Sequence, residues 1–190
     1  MSILLEQEHD YNGRHRNQAR IACMRQLLLL NPENATEEEV AGYAVREAAR
    51  AVVVDADKKV ALLRVANKNC YKLPGGGIEI GEDCMAALQR ECLEEIGCNV
   101  EVVREVGSVV EYRKMFGIKQ ISYCYVAKVR GEKGTPALTP EEKAAGFEPV
   151  WLSYEEALRL MSGSDAAGYE GKEYIVPRDT LLLREARGMM

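Results

Sequence analysis

One stretch of this sequence constrains the chain more than any other: GGGIEIGEDCMAALQRECLEEIGC, residues 75–98. Its glycines follow Pro74, so the backbone there can adopt positive φ values and come close to a ligand. The spacing of apolar residues then predicts a helix from about Asp83 to Glu95. Gly97 stands where a left-handed residue ends such a helix. The stretch is therefore predicted to form a glycine turn followed by one helix.

Three glutamates lie on one side of the predicted helix. At about 100° per residue, Glu91, Glu94 and Glu95 fall within an arc of roughly 100°. Like charges at this spacing repel one another by about a few tenths of a kcal/mol per pair, so folding alone does not favour the arrangement. Mg²⁺ prefers carboxylate oxygens and keeps positions open for water and phosphates. The glutamate face therefore predicts a site for a divalent cation.

The negative charge of the chain is concentrated in the same stretch. Residues 79–95 contain six acidic residues and one basic residue, Arg90, so their net charge is −5, equal to that of the whole chain. A run of acidic residues is often only a solvated helix face. The concentration beside a glycine turn nevertheless favours a binding site over a general means of keeping the protein in solution.

The stretch resembles the Nudix box of the Nudix hydrolase (MutT-like) family. The matching positions are Gly76, Glu82, Arg90, Glu91, Glu94, Glu95 and Gly97, with Cys92 and Cys98 at the two apolar positions. Aliphatic residues are commoner at those two positions, but a buried cysteine behaves as a small hydrophobe. The strand pattern extends the likeness over roughly residues 45–160 and implies an α/β fold, an α/β/α sandwich around a mixed β-sheet.

The resemblance implies an enzyme that hydrolyses a nucleoside diphosphate linked to another group, with Mg²⁺ or Mn²⁺ as cofactor. The implied metal ligands are the Gly75 carbonyl and the carboxylates of Glu91, Glu94 and Glu95. Arg90 is interpreted as the residue that orients a box glutamate through a forked ion pair. Glu82 is expected either to join that ion pair or to contribute to the metal site. The alternative is a nucleotide-sensing module of the same fold that binds without turnover.

The general base and the substrate contacts stay open at this point. Glu91 or Glu94 could act as the base. A downstream loop offers two further candidates, Glu141 and Glu142. The candidate substrate contacts are Glu82, Glu142, Glu148 and Tyr112. The expected substrates are nucleoside triphosphates first, then dinucleoside polyphosphates, then nucleotide sugars.

The sequence before the box predicts a helical extension over residues 1–45, followed by a Nudix hydrolase domain over residues 46–190. One helix is expected from Asn17 to Leu30. A second is expected from Thr36, which forms a capping box with Glu39, to about Ala48. These helices are interpreted as a cover for the core, with a dimer contact or a substrate lid as the alternatives.

The remaining sequence predicts strands that alternate with two later helices. Strands are expected at residues 51–55, 60–66, 71–73, 100–105, 106–112, 120–129 and 149–152. Residues 131–147 are expected to form a loop. Helices are expected from Ser153 to about Met161 and from near Pro177 to near Gly188.

Composition argues against several classes of protein. With a net charge of −5 and a pI of about 5.3, the chain lacks the clustered Lys and Arg of a nucleic-acid binder. Its longest aliphatic run, Leu27–Leu30, is too short to cross a membrane, and no secretory signal is visible. The six cysteines show no CxxC pair or zinc spacing and are interpreted as reduced thiols of a cytoplasmic protein. The expected partner is a nucleotide-type small molecule, and a homodimer is an open option.

Overall fold

The frame of the protein is one eight-stranded mixed sheet, seen in a computed structural model that describes residues 24–190. The strands are β1 (Gln26–Leu30), β2 (Ala44–Val54), β3 (Val60–Val65), β4 (Cys70–Lys72), β5 (Gly75–Gly77), β6 (Asn99–Arg113), β7 (Ile118–Arg130) and β8 (Phe147–Leu152). The main order is β1-β6-β7-β2-β3-β4, with β5 paired to β2 and β8 paired to β3. Strand β2 runs parallel to β7 and antiparallel to β3 and β5, so the sheet is mixed.

Helices cover both faces of this sheet. They are α1 (Glu37–Val40), α2 (Cys84–Ile96), α3 (Pro140–Ala145), α4 (Tyr154–Ser162) and α5 (Val176–Glu185), and a short π-helical segment, Gly171–Ile175, leads into α5. Helix α2 packs on one face, and α4 and α5 pack on the other. The predicted α/β/α sandwich around a mixed sheet is therefore confirmed.

Strand β2 supplies side chains to both cores, because successive residues of a strand point to opposite faces. Ala49 packs in the same core as Leu88 of α2. Val52 packs in the other core with Leu182 of α5. Arg50 has the same parity as Val52, so it lies on the α5 side of the sheet. This alternation places a charged side chain inside the protein.

The helix of the acidic stretch forms as its sequence predicts. Asp83 caps the N-terminus of α2, and its side chain accepts a hydrogen bond from the Ala86 N–H at 2.8 Å. Gly97 ends the helix in the left-handed conformation, with φ of 67°. Leu88 and Cys92 on the apolar side are fully buried. The opposite side of α2 is therefore free to present charged groups to the glycine turn.

The first predicted helix is wrong where the structure describes it. Gln26–Leu30 form the edge strand β1, which runs parallel to β6. A short run of leucines suits a strand as well as a helix, and periodicity alone cannot separate the two. Here the run gains backbone pairing with β6, and Leu27 and Leu28 pack against the core on the α5 side. The part of the prediction that covers residues 17–23 lies outside the described residues.

The second predicted helix begins at the predicted place but ends early. The capping box is present, since Thr36 Oγ1 accepts from the Glu39 N–H at 3.2 Å and Glu39 Oε2 accepts from the Thr36 N–H at 2.8 Å. The helix ends at Val40, because the chain from Ala44 onward pairs with β7 along its full length. A division of the chain at residue 45 stays a prediction; in the structure that residue lies within β2.

The loop predicted for residues 131–147 is wrong in its second half. Pro140–Ala145 form helix α3, and Phe147 already belongs to β8. Thr139 and Glu142 make a capping box, and Pro140 occupies the first turn, where a missing N–H costs nothing. A short helix with this start signal can form within a stretch whose glycines and charges otherwise favour a loop.

Two expectations from composition can be compared with the described residues. No helix within residues 24–190 is long and apolar enough to cross a membrane. Cys70, Cys84, Cys92, Cys98 and Cys124 are buried and free of disulfides.

Candidate functional site

The glycine turn allows a glutamate of α2 to approach the backbone. Gly75–Gly77 form β5 and pair with β2. Gly75 has φ of 131°, and a side chain there would collide with the Ala49 carbonyl oxygen. A Cβ at Gly76 would overlap the carboxylate of Glu91. The absence of side chains therefore creates the space in which the Glu91 carboxylate lies.

Arg90 joins the glycine turn to the glutamates of the box. Its Nε and Nη2 donate to the two carboxylate oxygens of Glu82 at 3.0 and 2.9 Å, which makes a forked pair. Its Nη1 donates to Glu91 Oε1 at 2.8 Å, and its Nη2 also donates to the Gly77 carbonyl at 3.0 Å. Hydrogen bonding to Arg90 lowers the pKa of Glu82. Of the two positions expected for Glu82, the structure shows the one in the ion pair.

Glu94 is the most exposed of the three helix glutamates. Its side chain is 39% exposed, against 12% for Glu91, and its Oε2 lies 3.5 Å from Arg90 Nη1. Contacts at that distance between exposed groups contribute little to stability. The Glu94 carboxylate is therefore free to turn toward a ligand.

Glu95 points into the protein. Its side chain is 1% exposed, Oε1 accepts from Lys72 Nζ at 2.8 Å, and Oε2 accepts from the Gly75 N–H at 2.6 Å. Burial raises the pKa of this carboxyl, and the two hydrogen-bond donors oppose that effect. Glu95 therefore braces the start of the glycine turn in this structure.

The donor chemistry of the box suits a hard divalent cation. Glu91, Glu94 and the Gly75 carbonyl offer oxygen atoms beside a turn that has no side chains to obstruct them. Within residues 24–190, however, no three acidic, histidine or cysteine side chains are gathered as a ready-made metal site. In this structure Arg90 holds Glu91, and Arg50 Nη1 donates to the Gly75 carbonyl at 3.1 Å. The oxygens fit the ion chemically and are paired with cationic side chains here.

A cavity of about 310 Å³ lies beside the glycine turn. Its walls contain six cationic side chains: Arg46, Arg50, Lys68, Lys72, Arg113 and Arg178. Val65, Phe147 and Ile175 form an apolar part of the wall. The cavity is large enough for part of a nucleotide, since small-molecule sites usually begin at about 300 Å³.

A buried ionic network forms the floor of this cavity. Arg178 Nη1 donates to Glu111 Oε1 at 2.8 Å, and Arg178 Nε donates to Asp179 Oδ1 at 2.6 Å. All three side chains are at most 1% exposed. Burial opposes the charge on Asp179, but Arg178 holds the pKa of that carboxyl below its ordinary value. Asp179 Oδ2 also accepts from the Leu73 N–H at 3.0 Å, which ties the network to the start of the turn.

The network continues toward the cavity mouth. Arg113 Nε donates to Glu111 Oε2 at 2.6 Å, and its Nη1 donates to Glu170 Oε1 at 3.0 Å. The other oxygen of Glu170 accepts from Lys68 Nζ at 3.1 Å. Each of these cations is therefore balanced by a carboxylate.

The structure brings only some of the predicted substrate contacts to the cavity. Glu141 and Glu142 of α3 line it, although Glu142 also caps its own helix. Glu148 forms an exposed ion pair with Arg64 at 3.3 Å, and Tyr112 uses its carbonyl to accept a hydrogen bond from Tyr174. Among residues 24–190, neither Glu148 nor Tyr112 is part of the cavity wall.

Sequence reasoning missed the cationic side of the site. Arg46 and Arg50 can be recognised in the sequence. They alternate in step with Val52 and Val54 of the apolar run AVVV that ends the same strand, so they face the same side of the sheet as those valines. A charge facing the same way as core valines in such a strand is a mark of function or of a buried pair. Arg113 and Arg178 leave no comparable signal, since they come from distant parts of the chain.

Known proteins are similar to this chain in sequence and in fold. The NUDIX domain family matches residues 44–173. A MutT-like protein of Streptomyces ambofaciens is 28% identical over 159 residues, which cover 78% of this chain and 97% of that protein. An RNA pyrophosphohydrolase of Pelagibacter ubique is 34% identical over 88 residues, 43% of this chain and 52% of that protein.

A solved NUDIX hydrolase from Nitrosomonas europaea has the same fold. It superposes with a TM-score of 0.59 at 17% identity, over 77% of this chain and 90% of that chain. At that level of identity the likeness concerns the fold alone.

Proposed function

This chain belongs to the NUDIX domain family, and from that premise we propose that it is a divalent-metal-dependent hydrolase that cleaves the pyrophosphate bond of a nucleotide derivative. The observation that carries the proposal is the Arg90 fork, which holds Glu82 and Glu91 beside the glycine turn. A nucleotide-sensing module without turnover would not need a carboxylate at every box position. The complete set of box carboxylates therefore favours an enzyme.

Mg²⁺ or Mn²⁺ is the proposed cofactor. The residues that would hold it are Glu91, Glu94 and, through its carbonyl, Gly75. Glu95, the further ligand that the resemblance implies, is paired with Lys72 and the Gly75 N–H in this structure. When bound, the cation supplies neutralisation of the charge that develops on the pyrophosphate oxygens. All of the proposed ligands are oxygen donors, as a hard cation requires.

The side chains of the box position the reaction. Arg90 fixes the Glu91 carboxylate against Gly76, and Glu82 fixes Arg90 through the forked pair. We propose Glu94 as the general base, because a base must reach the attacking water and Glu94 is the most exposed box glutamate. The alternatives are Glu91 of the box and the two glutamates that line the adjoining cavity, Glu141 and Glu142. Reactions at phosphorus depend mainly on such positioning and on charge neutralisation.

The proposed substrate is a nucleotide-type small molecule bound in the cavity beside the turn. Phe147 and Val65 offer an apolar wall for a base or sugar, and the cationic wall offers contacts for phosphates. The proposed location of the protein is the cytoplasm. The relative named RNA pyrophosphohydrolase makes a 5′-triphosphorylated RNA a second substrate to include in any test.

The test is turnover of a substrate panel by the purified chain with and without Mg²⁺. The panel contains a nucleoside triphosphate, its oxidised form, a dinucleoside polyphosphate, a nucleotide sugar, a 5′-triphosphorylated RNA and simple phosphomonoesters. We expect Mg²⁺-dependent cleavage within the pyrophosphate, seen as a nucleoside monophosphate and its partner product after chromatography. Cleavage of monoesters alone would contradict the proposal, and binding without turnover would favour the sensing module.

A further inference from the structure

Two arginines of β2 face the cavity without a carboxylate partner. Arg50 is 8% exposed and donates to the Gly75 carbonyl at 3.1 Å and to the Ser122 hydroxyl at 3.4 Å. Arg46 is exposed at the cavity mouth and donates to Gln120 Oε1 at 3.4 Å. Among residues 24–190, no carboxylate lies within ion-pair distance of either guanidinium.

The other cations of the cavity wall differ from these two. Lys68 and Arg113 pair with Glu170, Lys72 pairs with Glu95, and Arg178 pairs with Glu111. The positive charge that is left unbalanced by direct contacts therefore belongs to β2.

A buried guanidinium held only by neutral acceptors is costly for the folded state. An arginine side chain stays protonated at neutral pH, so Arg50 brings a positive charge to the cavity wall. The hydrogen bonds of Arg50 hold its guanidinium at the cavity wall without neutralising it. Such a position suits an anionic ligand, and the planar guanidinium matches the oxygens of a phosphoryl group.

Both arginines adjoin the glycine turn. Arg50 contacts the Gly75 carbonyl, and a Cβ on Gly77 would lie 3.6 Å from Arg46 Nη2. Arg90 of the box contacts the same Gly77 through its carbonyl. An anion bound between Arg46 and Arg50 is therefore next to the pyrophosphate that the box would cleave.

We infer, resting on the function proposed above, that the substrate carries a third phosphoryl group beyond the scissile pyrophosphate and that Arg46 and Arg50 bind it. This narrows the substrate class to nucleotides with at least three linked phosphates, in preference to nucleotide sugars, whose pyrophosphate ends in a neutral sugar. Glu141 and Glu142 lie on the cavity wall and repel an anion, which leaves the β2 side as its binding place.

The first experiment compares two substrates in matched variants. Arg46→Gln removes an exposed charge and should fold; Arg46→Lys keeps the charge; Arg64→Gln removes an exposed arginine that lies outside the cavity wall. We expect Arg46→Gln to lower the ratio of kcat/KM for ATP over UDP-glucose by about tenfold, mainly through KM for ATP, because a charge-assisted contact is lost. Arg46→Lys should lower the ratio less, and Arg64→Gln should not change it. An unchanged ratio in Arg46→Gln overturns the inference.

The second experiment measures binding without turnover. Calorimetry with inorganic tripolyphosphate and pyrophosphate, in the absence of divalent metal, should show tighter binding of tripolyphosphate to the full chain. Arg46→Gln and Arg50→Lys should each weaken that binding by about tenfold. The inference is overturned if the unsubstituted protein binds the two anions with equal affinity. It is also overturned if the variants bind tripolyphosphate as tightly as the unsubstituted protein does. If no nucleotide is cleaved, the proposed function fails while this measurement still decides the inference.

Discussion

The box and the cavity border the same glycine turn with opposite excess charge. On the box side, Arg90 alone faces the carboxylates of Glu82, Glu91 and Glu94. On the cavity side, Arg46 and Arg50 face no carboxylate within ion-pair distance among the described residues. The backbone of Gly75–Gly77, which carries no side chains, lies between the negatively charged box and the cationic wall of the cavity. Such a pair of neighbouring fields suits a ligand that is itself a cation bound to a polyanion.

The two regions also differ in burial, and this determines what each can do. Arg90, Glu82, Glu91 and Glu94 of the box are 12–39% exposed, whereas Glu111, Arg178 and Asp179 of the cavity floor are at most 1% exposed. Exposed pairs contribute about 0–1 kcal/mol and can exchange partners, but breaking a buried pair costs about 3–5 kcal/mol. The carboxylates of the box can therefore exchange Arg90 for a ligand. The buried ion pairs instead keep the shape of the cavity floor fixed.

The largest expected effect comes from breaking the cavity floor. Arg178→Met leaves Asp179 buried without its ion-pair partner and leaves Glu111 paired with Arg113 alone, and we expect the free energy of unfolding to fall by about 3–5 kcal/mol. Urea denaturation followed by circular dichroism measures this change. The control is Arg187→Met, which removes an arginine from an exposed pair with Glu155 and should cost at most about 0.5 kcal/mol. If Arg178→Met and Arg187→Met lowered the free energy of unfolding equally, the cavity floor would not be the more rigid region.

Removing one charge from the box should damage activity rather than stability. Glu94→Gln is expected to lower turnover by at least ~100-fold, because it removes both a proposed metal ligand and the proposed base. Apo stability should stay the same or rise slightly, since one of several like charges is lost. The matched control is Glu101→Gln, which changes an exposed glutamate of β6. Turnover by this variant should equal that of the unsubstituted protein. Near-normal turnover by Glu94→Gln would remove this residue from the site.

Metal should stabilise the chain through the box alone. Binding to the folded state adds about 2.7 kcal/mol to the free energy of unfolding when free Mg²⁺ is about a hundredfold above its Kd. Differential scanning calorimetry should show a rise in Tm with millimolar Mg²⁺ or Mn²⁺, and Glu91→Gln should reduce that rise. If Arg46→Gln reduced it as much, the two regions would not be separate in function.

The same comparison explains what the sequence could predict. The box residues are neighbours in the chain, so local spacing predicts the helix and its end at Gly97, and it leaves Glu82 with two expected positions, the Arg90 ion pair or the metal site. The cationic wall could not be found in this way, because Arg50 and Arg178 come from β2 and α5 and meet only after the sheet and helices have packed. Local patterns in a sequence report local structure, whereas this wall depends on tertiary contacts.

The errors at the N-terminus have a related cause. The sequence predicts a helix for the leucines of β1, because a short apolar run carries no information about a partner strand. The pairing of β1 with β6 is decided by tertiary contacts of residues about 80 positions apart, and such contacts override local propensity. The capping box that the sequence predicts for Thr36 and Glu39 is confirmed, because that signal is entirely local.

The smallest expected effect concerns the pH dependence of the box. Arg90 lowers the pKa of Glu82 from its ordinary 4.5, so the folded state favours the charged form more than the unfolded state does. The stability that this pair contributes is therefore present above about pH 4.5 and is lost as the pH falls through the lower, folded pKa.

Glu82→Gln lacks the contribution at every pH. The difference in free energy of unfolding between the two proteins should then be at most about 1 kcal/mol at neutral pH and should shrink toward acid. Urea titrations at about pH 7 and about pH 3.5 measure both differences. A difference that stays constant between the two pH values would mean that the fork positions Glu91 without stabilising the fold.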